Sequence, residues 1–224
     1  MPNVVALRTQ LLQAFIQTLQ MVGIAGSISL LLGIPFGVLL FTTKGGGILE
    51  NRPVHFLLSK FCDVFRSIPY ILLAMVLMTV LGSSIFNVIL AVGIGNIPSF
   101  ARVVRGEVHI IKNEEYCNAA RVIGVSNARM LFTHILPNTI SPLIVYATLG
   151  IAGAIISEAA LSFLGLGISE PTASWGSILQ TGKFYLNTAP HIATYSGIFI
   201  LITVLGFNLL GDGVRDVLDP KMKK

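Results

Sequence analysis

Five long runs of apolar residues occupy most of this 224-residue sequence. They cover residues 11–41, 56–81, 85–101, 139–164 and 192–210. A hydrocarbon core of about 30 Å requires about 20 mostly apolar residues per crossing helix, whose backbone satisfies its own hydrogen bonds. The runs are continuous, whereas the strands of a membrane barrel alternate apolar and polar residues. We therefore predict an all-α fold, a polytopic membrane helical bundle with about five transmembrane helices.

The composition excludes a water-soluble globule of this size. Apolar residues make up 54% of the chain and charged residues only 11%, which leaves too little polar surface to cover a soluble core. The first run is too long for the apolar part of a cleaved signal peptide, so we predict that it stays in the mature protein. The third run is short and contains Asn96 and Pro98, which predicts a broken or tilted span.

The basic residues predict the orientation of the chain in the membrane. Five spans place the termini on opposite sides, and cytoplasmic segments of membrane proteins are enriched in Lys and Arg. With the C-terminus inside, only Arg8 and Lys183 fall outside. The inner side then holds the other thirteen of the 15 basic residues: Lys44, Arg52, Lys60, Arg66, Arg102, Arg105, Lys112, Arg121, Arg129, Arg215, Lys221, Lys223 and Lys224. The net charge of +5 is thus interpreted as a topology signal and not as a nucleic-acid-binding surface.

The sequence offers no pattern for a metal site or a hydrolytic centre. Its histidines lack metal-ligand spacing, and Cys62 and Cys117 both fall on the predicted inner side, where disulfides do not persist. Gly211 and Asp212 resemble part of an intramembrane aspartyl protease, but no second aspartate lies within a span. The phosphate-binding loop G-x-x-x-x-G-K-[ST] is also missing. We therefore predict that the chain is not an enzyme and holds no cofactor of its own.

Few ionisable residues lie within the predicted spans. Glu158 is in the fourth, and Asp63 with Arg66 lies near the inner end of the second. A carrier driven by protons or sodium usually keeps several such groups near the membrane midplane, so a transporter of this sequence would take its energy from another subunit. Glu158 either lines a translocation path or makes a structural hydrogen bond inside the bundle, and we predict that Ser157 and Ser162 flank it on other faces of the helix.

The largest segment outside the predicted membrane, residues 102–137, reads as two short cytosolic helices. We predict that Asn113 caps the first helix and that Gly124 ends it. Ser126 is placed to cap the second, which runs toward Pro137. Helical spacing puts four apolar or aromatic residues of the first helix on one face: Tyr116, Ala119, Ala120 and Ile123. The alternative is a solvated loop with an interfacial helix.

This segment resembles the cytoplasmic "EAA" loop of bacterial ABC importer permeases. Asn118-Ala119-Ala120, Gly124 and Leu136-Pro137 stand at the spacing of that motif. The resemblance implies that the segment is a coupling helix, which docks on a separate ATP-binding subunit and transmits its closure to the membrane helices. Asn118 stands where the motif has glutamate, which removes a charge from the docking face. The implied coupling residues are Tyr116, Asn118, Ala119, Ala120, Ile123 and Gly124.

Other segments resemble two different branches of these permeases. Residues 87–89, 101–106, 134–138, 141–145, 158–167, 174–176 and 208–220 look like permeases for dipeptides, oligopeptides and nickel. Residues 18–19, 33–40 and 65–69 instead resemble importers of methionine and polar amino acids. The resemblance implies one transmembrane permease domain over residues 1–224 in a bacterial inner membrane, with the N-terminus outside and the C-terminus in the cytoplasm.

The same resemblance implies the partners and the mechanism. They are cytoplasmic ATPase subunits that bind ATP and Mg, a second permease subunit that is identical or a paralogue, an extracytoplasmic substrate-binding protein and membrane lipid, with no nucleic acid. Alternating access would carry an amino acid such as methionine, a di- or oligopeptide, or nickel into the cytoplasm. The competing hypotheses are an ATP-independent secondary carrier or channel, which needs polar residues repeated along several spans, and a membrane scaffold without transport.

Two smaller features leave alternatives open. Gly33 and Gly37 form a G-x-x-x-G pair, which lets helices approach closely either within one chain or between subunits. Trp175 lies in the predicted outer segment, where it either anchors the chain at the membrane interface or contacts the binding protein.

Overall fold

A computed structural model describes residues 4–42, 52–168 and 172–218 of this chain. Every regular element in these ranges is helical, which confirms the all-α prediction. Four helices are long and apolar enough to cross a membrane, and up to five spans result if one broken pair counts as a single span. The helices are α1 (Val4–Thr42), α2 (Arg52–Ser67), α3 (Tyr70–Leu81), α4 (Ile85–Ile111), α5 (Glu115–Val122), α6 (Asn127–Arg129), α7 (Leu136–Phe163), α8 (Trp175–Phe184) and α9 (His191–Leu218), with a π-helical turn at Met130–Ile135.

The break falls in the second span and not in the third. The second run of the sequence forms α2 and α3, which Ile68 and Pro69 separate. Pro69 is the N-cap of α3, where its carbonyl accepts hydrogen bonds from the amides of Leu72 (2.9 Å) and Leu73 (3.2 Å). The third run lies in α4, a continuous helix of 27 residues that contains Pro98. Of the two alternatives for the third run, the break at Pro98 is therefore wrong, because a membrane helix tolerates a proline where neighbouring groups satisfy the carbonyl left free.

The described chain divides into two compact units that both draw residues from the long helices. Unit 1 comprises residues 1–28, 69–95 and 148–210, and unit 2 comprises residues 29–68, 96–147 and 211–224. Each unit has its own apolar core.

Trp175 lies at the centre of the unit 1 core. Its side chain is 0% exposed, with its ring 5.6 Å from that of Phe15 and stacked on that of Phe199 at 6.2 Å. A capping box positions it, since Ser174 and Ser177 exchange hydrogen bonds of 2.9 and 3.1 Å at the start of α8. Neither predicted role for Trp175 is correct, because a fully buried ring reaches neither lipid headgroups nor a binding protein. From the sequence alone, an aromatic residue in an outer segment is expected to be an interfacial anchor. Only the tertiary packing shows that Trp175 is buried instead.

Unit 2 contains the predicted G-x-x-x-G pair at a close crossing of α1 and α4. A Cβ atom added at Gly33 would lie 2.5 Å from Phe100 Cβ. One added at Gly37 would lie 2.6 Å from the Ala101 carbonyl oxygen and 2.7 Å from Val104 Cβ. These glycines therefore serve packing within the chain, the first of the two alternatives.

Candidate coupling site

The segment that was predicted to be cytosolic leaves α4 through a tight turn. The Asn113 side chain donates a 3.0 Å hydrogen bond to the carbonyl of His109, so it closes the end of α4. The predicted capping of α5 by Asn113 is therefore wrong. Glu114 occupies the N-cap in an extended conformation without a side-chain capping bond, and its carbonyl accepts from the amides of Cys117 and Asn118. Asparagine satisfies the last carbonyls of one helix as readily as the first amides of the next, and the tertiary turn decides between them.

Only part of the predicted apolar face of α5 is buried. Cys117 (0% exposed) and Ala120 (7%) pack into the core of unit 2. Both side chains are small, which lets α5 lie close to its neighbours. Ala119 is exposed, as are Tyr116 (43%) and Ile123 (80%). The helix is therefore held by one face and presents a second apolar face at the surface.

The end of α5 is a Schellman motif built on Gly124. The Gly124 backbone has φ +83°, a left-handed conformation that favours glycine. Its amide donates to the Arg121 carbonyl (3.0 Å), and the Val125 amide donates to the Ala120 carbonyl (3.1 Å). Val125 packs against the same core cluster as Ala120, which adds the apolar contact typical of this motif. The prediction that Gly124 ends the first helix is confirmed.

Asn118 belongs to a hydrogen-bond network that ties α5 back to the end of α4. Arg121 donates to the Asn118 side-chain oxygen (3.0 Å) and to the Lys112 carbonyl (3.1 Å), and Asn118 donates to the Asn113 carbonyl (3.4 Å). An amide both accepts from Arg121 and donates to a carbonyl, whereas an ionised glutamate only accepts. Sequence reasoning missed the role of Arg121, although its i, i+3 spacing from Asn118 was visible.

The segment continues into the next membrane helix without a second free-standing helix. The Ser126 hydroxyl accepts from the Arg129 amide at 3.4 Å, which confirms the predicted cap. The chain then passes through the π-helical turn into α7, so residues 127–163 count as one candidate span. Pro137 lacks an amide proton and its ring crowds the carbonyl four residues earlier, which favours a widened turn there.

Tyr116 lies beside the beginning of α7. Its phenol interacts with the side chain of Asn138, in the first turn of α7. Loss of solvent around the phenol, and then the neighbouring Cys117, raise the pKa of Tyr116 above its ordinary value. The phenol therefore stays neutral near pH 7. Apolar packing also joins α5 to the intervening turn, since Cys117 and Ala120 share a core cluster with Met130 and Leu131.

Glu158 and Ser162 form a separate polar pair inside unit 1. The Ser162 hydroxyl donates a 2.8 Å hydrogen bond to Glu158 Oε1, and Glu158 is 1% exposed. Ser162 therefore lies on the same face of α7 as Glu158, as i, i+4 spacing requires, and the prediction of a different face was wrong for it. Ser157 donates to the Gly153 carbonyl at 2.9 Å. Beside Glu158 is a narrow apolar gap without room for a water molecule, lined by Met21, Val22, Ala25, Val88, Ile89 and Val92.

Two substitutions at Glu158 separate its two predicted roles. Glu158→Gln keeps an oxygen that accepts from Ser162, so we expect the free energy of unfolding to fall by less than about 1 kcal/mol. Glu158→Ala removes the acceptor and enlarges the gap, so we expect a loss of about 2–4 kcal/mol. Thermal unfolding in detergent measures both. A stable Glu158→Ala variant that nevertheless loses transport would instead support a place on the translocation path.

Within the described residues, no group of three or more His, Cys, Asp or Glu side chains is arranged to hold a metal ion. The coupling segment and the Glu158 pair are therefore the candidate functional features of this part of the chain.

Comparison with known proteins identifies relatives in sequence and in structure. The sequence profile of a family described as "Binding-protein-dependent transport system inner membrane component" matches residues 30–224. The glutathione transport system permease protein GsiD of Salmonella typhi is 50% identical over 164 residues, which are 73% of this chain and 54% of that protein. Its counterpart in Shigella sonnei is 49% identical over 167 residues, 75% of this chain and 55% of that protein. The chain thus spans about half the length of these curated relatives.

Two solved structures share the fold. An inward-facing conformation of the MetNI methionine ABC transporter aligns with a TM-score of 0.78 at 23% identity, over 93% of this chain and 95% of the other. An amino acid ABC transporter crystallised with histidines aligns with a TM-score of 0.70 at 16% identity, over 95% of both chains.

Proposed function

This chain belongs to the family of binding-protein-dependent transport system inner membrane components. From this membership we propose its source of energy, its orientation in the membrane and its solute. Our proposal is that it is the permease subunit of an ATP-driven importer and that α5 transmits the energy. Separate subunits bind ATP and Mg and hydrolyse the nucleotide. A second permease subunit completes the path, and an extracytoplasmic binding protein delivers the solute. Alternation between two states biased by nucleotide moves that solute inward.

The observation that carries the coupling role is the exposed apolar face of α5 on a rigidly held helix. Tyr116, Ala119 and Ile123 lie at the surface, although they belong to a charged segment. An exposed apolar patch rimmed by polar residues marks an interaction surface, and an amphipathic helix binds in a groove of its partner. Because Cys117 and Ala120 fix the opposite face, a push on α5 is transmitted to the body of unit 2.

The distribution of basic residues supports the proposed orientation. All thirteen Lys and Arg residues predicted to face the cytoplasm belong to unit 2, and only Arg8 and Lys183 belong to unit 1. The folded units therefore sort charge as the positive-inside rule requires. We propose that the end of unit 2 that bears α5 faces the cytoplasm, with the N-terminus outside and the C-terminus inside.

For the solute we propose a small peptide of the glutathione class. The support is the 50% identity to the glutathione permease protein, against 23% identity to the methionine transporter. A binding assay between the chain and candidate extracytoplasmic binding proteins, loaded with glutathione, a dipeptide, methionine or nickel, discriminates these solutes.

The coupling proposal is tested by Ile123→Asp. A charge at this exposed apolar position would be desolvated on docking, and central interface residues contribute about 2 kcal/mol or more, so we expect about 30-fold weaker ATPase binding. Purification of the affinity-tagged chain from native membranes, followed by identification of bound subunits and nucleotide hydrolysis, measures the effect. Leu186→Asp is the matched control, because Leu186 is also exposed but lies in the predicted outer segment.

Equal retention of an ATPase by both variants would contradict docking through α5. Solute uptake by the purified chain in vesicles without nucleotide would contradict the importer and support the secondary carrier.

A further inference from the structure

An open apolar groove lies in unit 1 between the N-terminal parts of α1 and α9. Its volume is about 660 Å³, within the range of about 300–1,000 Å³ typical of ligand sites. Its walls are almost entirely apolar, apart from a cationic side chain at one end. The residues used below are Arg8, Leu12 and Phe15 from α1, with Tyr195, Phe199 and Ile202 from α9.

The groove has a polar end and an apolar end. Arg8 and Tyr195 are the first lining residues of their helices, and Phe15 and Ile202 follow seven residues later. Seven residues correspond to about 10 Å along a helix, so the groove runs from a cationic, hydroxyl-bearing mouth into an apolar channel. Arg at the end of a membrane helix places its guanidinium at headgroup level, and tyrosine has the same preference.

Within the described residues of unit 1, no ion pair involves Arg8. Besides the tyrosines, the ionisable side chains of unit 1 are Arg8, Lys183, His191, Glu158 and Glu170. Glu158 is buried with Ser162, and Glu170 lies outside the described residues. The recorded ion pair in the described ranges joins Lys60 to Asp63, in unit 2. The Arg8 side chain is exposed, so its guanidinium, with five donors, can bind a phosphate in two-pronged geometry.

We propose that this groove binds one anionic phospholipid, with its phosphate at Arg8 and an acyl chain along Leu12, Phe15, Phe199 and Ile202. A zwitterionic lipid fits the apolar channel equally well but brings no net negative charge to the mouth. The expected preference of the groove for an anionic lipid over a zwitterionic lipid therefore depends on Arg8. The proposal is independent of the coupling role of α5, since none of these residues belongs to that site.

The only tryptophan of the chain reports on the groove. Trp175 lies directly behind it, because its ring contacts those of Phe15 and Phe199, both of which line the wall. Brominated acyl chains quench tryptophan at short range. The purified full-length chain is therefore reconstituted in phosphatidylcholine vesicles that contain either dibrominated phosphatidylglycerol or dibrominated phosphatidylcholine at the same mole fraction.

We expect dibrominated phosphatidylglycerol to quench Trp175 at about fivefold lower mole fraction, since one basic residue near the surface favours anionic lipid by about that factor. Arg8→Gln should abolish the preference, whereas Arg8→Lys should retain most of it. Lys183→Gln is the matched control and should keep the full preference. An unchanged Trp175 emission spectrum establishes that each variant remains folded.

Equal quenching by the two lipids in the unmodified chain would overturn the proposal, as would an undiminished preference in Arg8→Gln. Absence of quenching by either lipid would also overturn it, because the groove would then be closed by another occupant, such as a helix of a second copy.

Discussion

Gly124→Pro is expected to remove the ATPase subunit from the purified permease and to abolish nucleotide-dependent transport. Proline fixes φ near −65°, whereas Gly124 has φ +83°, so the Schellman motif cannot form. Proline also removes the amide that donates to the Arg121 carbonyl, and it disfavours the conformation of Ile123 before it. The combined backbone cost is about 3 kcal/mol or more, concentrated at one end of an eight-residue helix. Co-purification and nucleotide hydrolysis measure the outcome.

A matched pair of alanine variants separates this local effect from general destabilisation. Gly124 and Gly82 have nearly equal φ angles, +83° and +85°, and a Cβ atom at either would meet nothing within 4 Å. Gly124→Ala carries a backbone strain of about 1–2 kcal/mol. Gly82→Ala is the harsher control, at about 1–3 kcal/mol, because its ψ of 165° places Gly82 in a region that is restricted almost entirely to glycine. We expect only Gly124→Ala to weaken ATPase binding. Equal losses in both variants would show that stability, and not the position of α5, controls the assembly.

Gly37→Ala is expected to prevent normal packing of α1 against α4. The added methyl group would lie 2.6 Å from a backbone oxygen of α4, and the backbone cannot move aside as a flexible side chain does. Separation of the helices would also disturb the neighbouring contact at Gly33. Overpacking of this kind costs about 1–3 kcal/mol, and we expect the upper end here. Thermal unfolding in detergent and the yield of monodisperse protein report the change.

The control for this variant lies on the same helix. A Cβ atom at Gly23 would meet nothing within 4 Å, so Gly23→Ala should stabilise α1 by about 0.5–1 kcal/mol through the loss of backbone freedom in the unfolded chain. If Gly23→Ala raises the free energy of unfolding and Gly37→Ala lowers it, the distance between α1 and α4 at their crossing decides the effect of the added methyl group. A neutral Gly37→Ala would contradict the close approach.

The membrane character of the chain follows from physical rules that act on local sequence. A span requires about 20 apolar residues whatever its neighbours are, so the runs predict the helices directly. The C-terminal glycine of α5 and the serine cap of α6 were also predictable, because both depend on the conformational preferences of single residues. The EAA spacing likewise indicated the family.

Side-chain environment was harder to predict, because it depends on contacts between segments distant in the sequence. The Asn113 side chain lies between the end of α4 and the start of α5, and it donates a hydrogen bond to the His109 carbonyl of α4. The position of Trp175 in the sequence predicts an interfacial anchor, yet its ring packs against those of Phe15 and Phe199. The break at Pro69 and the continuity at Pro98 show that the same residue type either caps or merely interrupts a hydrogen-bond ladder, according to the helix around it.

The sequence by itself determined that this chain forms membrane helices, which segments form them and to which family the chain belongs. Hydrophobic length, turn chemistry and motif spacing are local properties, and no tertiary contact is needed to read them. Only the tertiary structure decided which face of α5 is buried and that Gly33 and Gly37 pack within the chain. It also decided that Glu158 accepts a hydrogen bond from Ser162. These outcomes depend on the distances between helices, which packing sets for the folded chain as a whole.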